Sequence, residues 1–165
     1  MEIQAVSQWI EHFVLKHNLC PFAHKPFKEK QIEYVVIQNT SIPEILQELL
    51  DCCERLQQPN SPQTLLLILK SGFDDFEDYL DLFELSEDLL KMEILDETFQ
   101  LASFHPKYCF DGLAYSDPAN LTNRAPYPLI HILRCSDVEQ AISQHPNTLD
   151  IPERNIKILR ALFRT

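Results

Sequence analysis

The chain has 165 residues, 45% hydrophobic and 24% charged, the balance of a globular protein long enough to bury a core. A formal net charge of −11 argues against nucleic-acid binding, which needs a basic footprint. No apolar run approaches the roughly 20 residues of a membrane span, and the N-terminus carries charge throughout, unlike a signal peptide. The expectations are one globular domain over residues 1–165, no membrane association and a cytoplasmic location.

The charge is uneven. Ser71–Glu97 holds eleven acidic residues against Lys91 alone, which describes either a solvated helix face or a docking surface for a basic partner. The five cysteines include the adjacent Cys52 and Cys53 and no CxxC pair, which argues against a disulfide framework or a zinc ribbon. Cys52 and Cys53 fall in a helical pattern and read as small buried apolar residues.

In chain order, Ile3, Val6, Trp9 or Ile10, Phe13 and Val14 set a helical period over residues 2–18, ending at Asn18, which tolerates the left-handed conformation of a helix C-terminus. Pro21 and Pro26 keep the next segment out of regular structure. Gln31–Gln38 is rich in β-branched and aromatic residues and reads as a strand. Ser41 and Glu44 form a capping box for a helix to about Gln57, with Ile45, Leu46, Leu49, Leu50, Cys53 and Leu56 on its buried side. Thr64–Leu69 is an unbroken apolar run, the pattern of a central strand covered on both faces. A helical period resumes over Phe73–Met92, with a break near Leu85–Ser86. Thr98–Phe104 and Tyr127–Leu133 are further strands. Ser136/Glu139 and Asp150/Glu153 repeat the capping-box spacing and open two last helices, the second over Pro152–Phe163.

This order predicts an α/β or α+β layered sandwich, with a mixed sheet of about four strands and about five helices. With only two glycines, Gly72 and Gly112, the chain has neither GxGxxG nor GxxxxGK[ST], so it carries no nucleotide-binding loop.

Polar groups gather in Phe104–Arg134, between two strands, where a loop held by rigid elements can build a site. Arg124 and Arg134 suit an anionic small molecule, with amide hydrogen bonds from Asn120 and Asn123. The alternative is that an arginine pins the loop through Asp111 or Asp117. Asp117 itself reads as the cap of a short helical turn at Ala119–Asn123. His105 stands at a strand end before Pro106, where it can act as general acid or base, assisted by Tyr108 or His131. Alternation puts Phe99, Leu101 and Ser103 on the His105 side, and Gln100, Ala102 and Phe104 opposite. His131 lies within a strand, as a core residue or as a partner of His105 if the two strands adjoin. A metal would need a third ligand, with Cys20, His24, Asp117 and Tyr108 conceivable, and no spacing resembles HxxxH or HExxH.

Three segments, LCPFA (Leu19–Ala23), QLASFHPKYCF (Gln100–Phe110) and NLTNRAPYPLIHILR (Asn120–Arg134), resemble the signature segments of a bacterial family, domain of unknown function 1415. The resemblance spans nearly the whole chain and implies a shared fold. Ala125 stands where that family often has serine, which speaks against a catalytic hydroxyl there. Cys20-Pro-Phe-Ala also resembles the redox motif of omega-class glutathione transferases, which implies a thiolate at a helix N-terminus. Here a helix rather than a strand precedes Cys20, and Pro26 leaves little room for a following helix. Cys20 is therefore either a catalytic thiol or a buried turn residue. The functional expectation is an enzyme acting on an anionic small molecule through histidine acid/base chemistry. The alternatives are a non-catalytic binding or interaction protein and a thiol- or metal-dependent enzyme using Cys20.

Overall fold

The computed structural model describes residues 1–38, 40–144, 147 and 150–163. At its centre is β2 (Thr64–Leu69), buried at every position, as its continuous apolar run requires. It pairs in parallel with β1 (Ile32–Ile37) and antiparallel with β4 (Leu129–Arg134), while β3 (Phe99–Phe104) lies antiparallel on the far side of β4. The four-stranded mixed sheet has the order β1-β2-β4-β3. With six α-helices among the described residues, it is the α+β sandwich expected. The helix beyond the five expected is α2 (His24–Lys28), in a segment expected to be irregular and described below.

The alternation of side chains on each strand divides the core. Leu65, Leu67, Leu69, Ile130, Ile132 and Phe99 face α3 (Ile42–Gln57) and α4 (Phe76–Met92). Cys52 and Cys53 are buried in that layer, and burial pushes their thiols up to about 11 and about 12. Both are inert packing residues. Leu66, Ile68 and Leu129 face the other way, onto Val6 and Ile10. The first helix runs from α1 (Glu2–Trp9) into a π-helical stretch at Ile10–Leu15, not the uniform α-helix the periodicity suggests. It ends with Asn18 at φ 50°, as expected.

Several local readings are corrected. The segment after Asn18 is not irregular: a 3₁₀ turn at Pro21–Ala23 leads into a short α2 (His24–Lys28). Pro26 fits because the first N–H groups of a helix have no intrahelical partner to lose. At α3 the orphan N–H groups of Glu44 and Ile45 are taken by the Ser41 carbonyl, and no side-chain cap bond forms. α4 is continuous through Leu85–Ser86, because the Ser86 hydroxyl is buried and donates to the Leu82 carbonyl. Its N-cap is Asp75, whose carboxylate accepts from the N–H groups of Glu77 and Asp78.

α4 ends in a Schellman-type closure, Leu95 N–H to Leu90 O and Ile94 N–H to Lys91 O. The left-handed residue there is Ile94, at φ 55°, where glycine is usual. α4 is tied to the sheet by Tyr79, whose hydroxyl donates to Leu129 O (2.6 Å) and accepts from Phe104 N–H (3.0 Å). α5 (Cys135–Gln144) starts directly from β4, and α6 (Ile151–Leu162) follows, with Asp150 at its N-cap position but no side-chain cap bond. In α6, Asn155 Nδ2 donates to Leu19 O (2.7 Å), and Leu159 packs on Val14 and Leu19.

Candidate functional site

Strand parity decides which candidate residues can meet. β3 and β4 do adjoin, with Ala102 opposite His131 and Phe104 opposite Leu129. His131 therefore shares a face with Ala102 and Phe104, whereas His105, one residue past Phe104, turns to the other face. There its ring packs against Phe76 and Tyr79 of α4. The two histidines share no relay.

His105 is fully buried. Its Nε2–H donates to Phe73 O (2.9 Å) and its Nδ1 accepts from Lys107 N–H (3.0 Å). Burial holds its pKa down, opposed by the Phe73 carbonyl. Both ring nitrogens are engaged, so the general acid or base expected here has no nitrogen left for a ligand. Tyr108 shares this neighbourhood, its hydroxyl 3.1 Å from Ser103 Oγ and its ring on Phe76.

The arginines are likewise engaged. Arg124 donates from Nε to Tyr108 O (2.9 Å) and from Nη2 to Tyr115 O (2.7 Å), and lies over the Tyr115 ring. Arg134 reaches the carbonyls of Gln63 (2.8 Å), Leu56 (2.5 Å) and Pro62 (3.0 Å), the Ser61 hydroxyl and the Asp137 carboxylate. It clamps the turn before β2 to the end of β4. The loop-pinning role is therefore met by carbonyls rather than by Asp111 or Asp117. Asp117 caps the 3₁₀ turn Pro118–Thr122 as expected, and its ion-pair partner is Arg160 (2.6 Å). Asn120 is fully buried; its Oδ1 accepts from Phe110 N–H and its Nδ2 donates to Ala114 O. It locks the loop from within.

On the opposite face of the sheet lies a cavity of about 340 Å³, near the lower end of the range of roughly 300–1,000 Å³ typical of small-molecule sites. Its floor includes Leu66, Ala102, Phe104, His131 and Leu133. Its roof comes from Trp9, Ile10 and Val14 and from the Leu19–Pro26 segment, and Val138 and Ala141 of α5 close one end. Four candidate residues line it: Cys20, Asn123, His131 and Arg134. Cys20 and His131 come from segments more than a hundred residues apart, brought together because the first helix and its following turn cover the β4 face.

His131 Nε2 lies 2.6 Å from Thr64 Oγ1, which is 2.7 Å from Ile132 O. Thr64 has one hydroxyl proton and gives it to that carbonyl, so Nε2–H is the donor to Thr64 and Nδ1 keeps the lone pair. Burial pushes the imidazole down to about 4, so it is uncharged at neutral pH. Burial also raises the Cys20 thiol. The N–H groups of Phe22 and Ala23 and the Arg154 guanidinium oppose that shift without overcoming it. Asn123 joins the two neighbourhoods: its carbonyl accepts from His105 N–H and its Nδ2 donates to Ser103 O (3.0 Å).

Sequence reasoning missed Thr64, Trp9, Gln63 and Asp137, all of which line the cavity. Thr64 opens the run read as purely apolar, and its hydroxyl was the available signal. Trp9 stacks edge-on against Phe104 at 5.5 Å, and its Nε1–H is buried without an acceptor. Beside the cavity is a recess of about 210 Å³ that shares Phe22, Pro26, Gln63, Asp137 and Ala141 with it and adds Lys25, Gln140 and Gln144. Among the described residues no three His, Cys, Asp or Glu side chains converge as a metal site would need, and no helix is long and apolar enough to cross a membrane.

The fold and cavity define an α+β protein with a covered, mainly apolar chamber on one sheet face. The chain belongs to the family described as Protein of unknown function (DUF1415), whose model matches residues 1–165. No curated protein and no solved structure matches it.

Proposed function

We propose that this protein binds a small molecule with a largely apolar body in the chamber beneath the first helix. The supporting observation is that Cys20, Asn123 and His131, from three separate segments, line one cavity of about 340 Å³ whose remaining walls are mainly apolar. Few polar groups among apolar walls is the usual make-up of a ligand site. At neutral pH the His131 ring is uncharged and Cys20 keeps its proton, so these groups orient a ligand through hydrogen bonds. Acid/base turnover at neutral pH fits them less well, because an efficient base has a pKa near the working pH.

A second reading, a thiol-dependent enzyme, is favoured by one observation: Cys20 and an imidazole line the same chamber. It requires Cys20→Ser to abolish turnover while leaving affinity intact.

The chain's single tryptophan lines the chamber, so its emission reports occupancy directly. Titration with an apolar naphthalene dye is expected to saturate at one dye per chain. Ala102→Leu and Ala141→Leu, which place extra methyl groups in the chamber, are expected to abolish that saturation while the fold is retained. Unchanged affinity and stoichiometry in both folded variants would refute the chamber as the site.

A further inference from the structure

The chamber and its neighbouring recess share Phe22, Pro26, Gln63, Asp137 and Ala141 and differ in the rest of their lining. The chamber lining includes Ile10, Val14, Leu19, Leu66 and Phe104. The recess adds Lys25, Gln140 and Gln144. An occupant that spans both must be apolar at one end and polar at the other.

The charges choose the sign of the polar end. Of the side chains that line the recess, Lys25 and Asp137 are charged. Asp137 lies 3.4 Å from Arg134 Nη1, so its carboxylate is already compensated. Lys25 is exposed, and among the described residues no carboxylate pairs with it. It leaves the recess with one uncompensated positive charge, flanked by glutamine amides able to donate hydrogen bonds. A cationic head would meet that charge unfavourably. A single ammonium is matched by a single negative charge.

We infer that the ligand is an amphipathic monoanion, an apolar chain bearing a carboxylate, with its head beside Lys25 and its chain beneath Trp9. This rests on the chamber being the binding site. It also transfers the anion-recognition role from Arg124 and Arg134, whose donors are engaged in holding the chain, to a lysine on α2.

The test uses the Trp9 emission of the full chain with three series of straight-chain compounds: alkanoates, alcohols and primary amines. Alkanoates are expected to saturate the signal, with Kd falling about fourfold per added methylene, equivalent to about 0.8 kcal/mol, until the chamber is full. An alcohol or amine of equal length is expected to bind at least about tenfold more weakly. Lys25→Glu is expected to erase the preference for the carboxylate while leaving alcohol affinity unchanged. Equal affinities for alkanoate and alcohol, or a Lys25→Glu variant with the native preference, would overturn the head-group inference and leave the chamber reading standing. If no chain in any series perturbs Trp9, both fall together.

Discussion

The uncharged state of His131 makes a quantitative demand on stability. The ring is held between Thr64 and the chamber, and burial lowers its pKa from 6.5 to about 4. Between these values the unfolded chain binds a proton that the folded chain rejects. The stability associated with the neutral ring is therefore complete above pH 6.5 and lost as the pH falls toward 4. Between pH 7.5 and pH 4.5 the loss from this one residue is ~2.5 kcal/mol. The clean comparison is with His131→Leu, which removes the titration but leaves the Thr64 hydroxyl bonded to Ile132 O. Urea unfolding of both proteins at the two pH values cancels the remaining histidines and carboxylates. The native chain is expected to lose ~2.5 kcal/mol more than the variant over that interval. Equal losses would mean that His131 is not held neutral by burial, and the reading of His131 as an uncharged group in the chamber would fail with it.

Arg134→Met removes a cation that serves three carbonyls and a hydroxyl at the end of α3 and in the turn before β2, and is expected to lower stability by about 3 kcal/mol. Arg134→Lys should restore less than half, since an ammonium cannot reproduce the guanidinium fork; thermal unfolding reads both. His105→Ala is expected to cost about 2–4 kcal/mol through lost packing and an orphaned Phe73 carbonyl. It should leave dye affinity in the chamber unchanged, whereas a weakened affinity would restore His105 to the site. Ile94→Gly relieves a β-branched residue in the left-handed region. It is expected to stabilise by about 1 kcal/mol despite losing an exposed side chain, which a raised urea midpoint at unchanged slope would show.

The strands were legible because their signals are local. Thr64–Leu69 is apolar at every position after the first, and the alternation in Phe99–Phe104 correctly assigned Gln100, Ala102 and Phe104 to the face opposite His105. What alternation within one strand could not supply was the phase of β4 against β3. That phase, set by the pairing of Ala102 with His131, separates the two histidines. The arginines misled for a related reason. An arginine that clamps backbone looks the same in sequence as one that waits for a ligand, and the acceptors of Arg134 lie some seventy residues earlier. The α2 helix was hidden by Pro26, whose missing N–H is harmless in a first turn. Lys25 and Thr64 carried no spacing signal, because the chamber is assembled by tertiary packing alone.

The hydrogen bond from Asn155 to Leu19 has a consequence for synthesis. The floor of the chamber is complete once β4 has emerged, but the segment carrying Cys20 is fastened by α6, which emerges later. A nascent chain arrested before residue 150 can form the sheet, yet it holds the chamber's roof without that fastening. Binding competence should therefore arrive late in translation, as a separate event from formation of the sheet. Chains cut short in their last helix would retain strand pairing and lose the proposed binding.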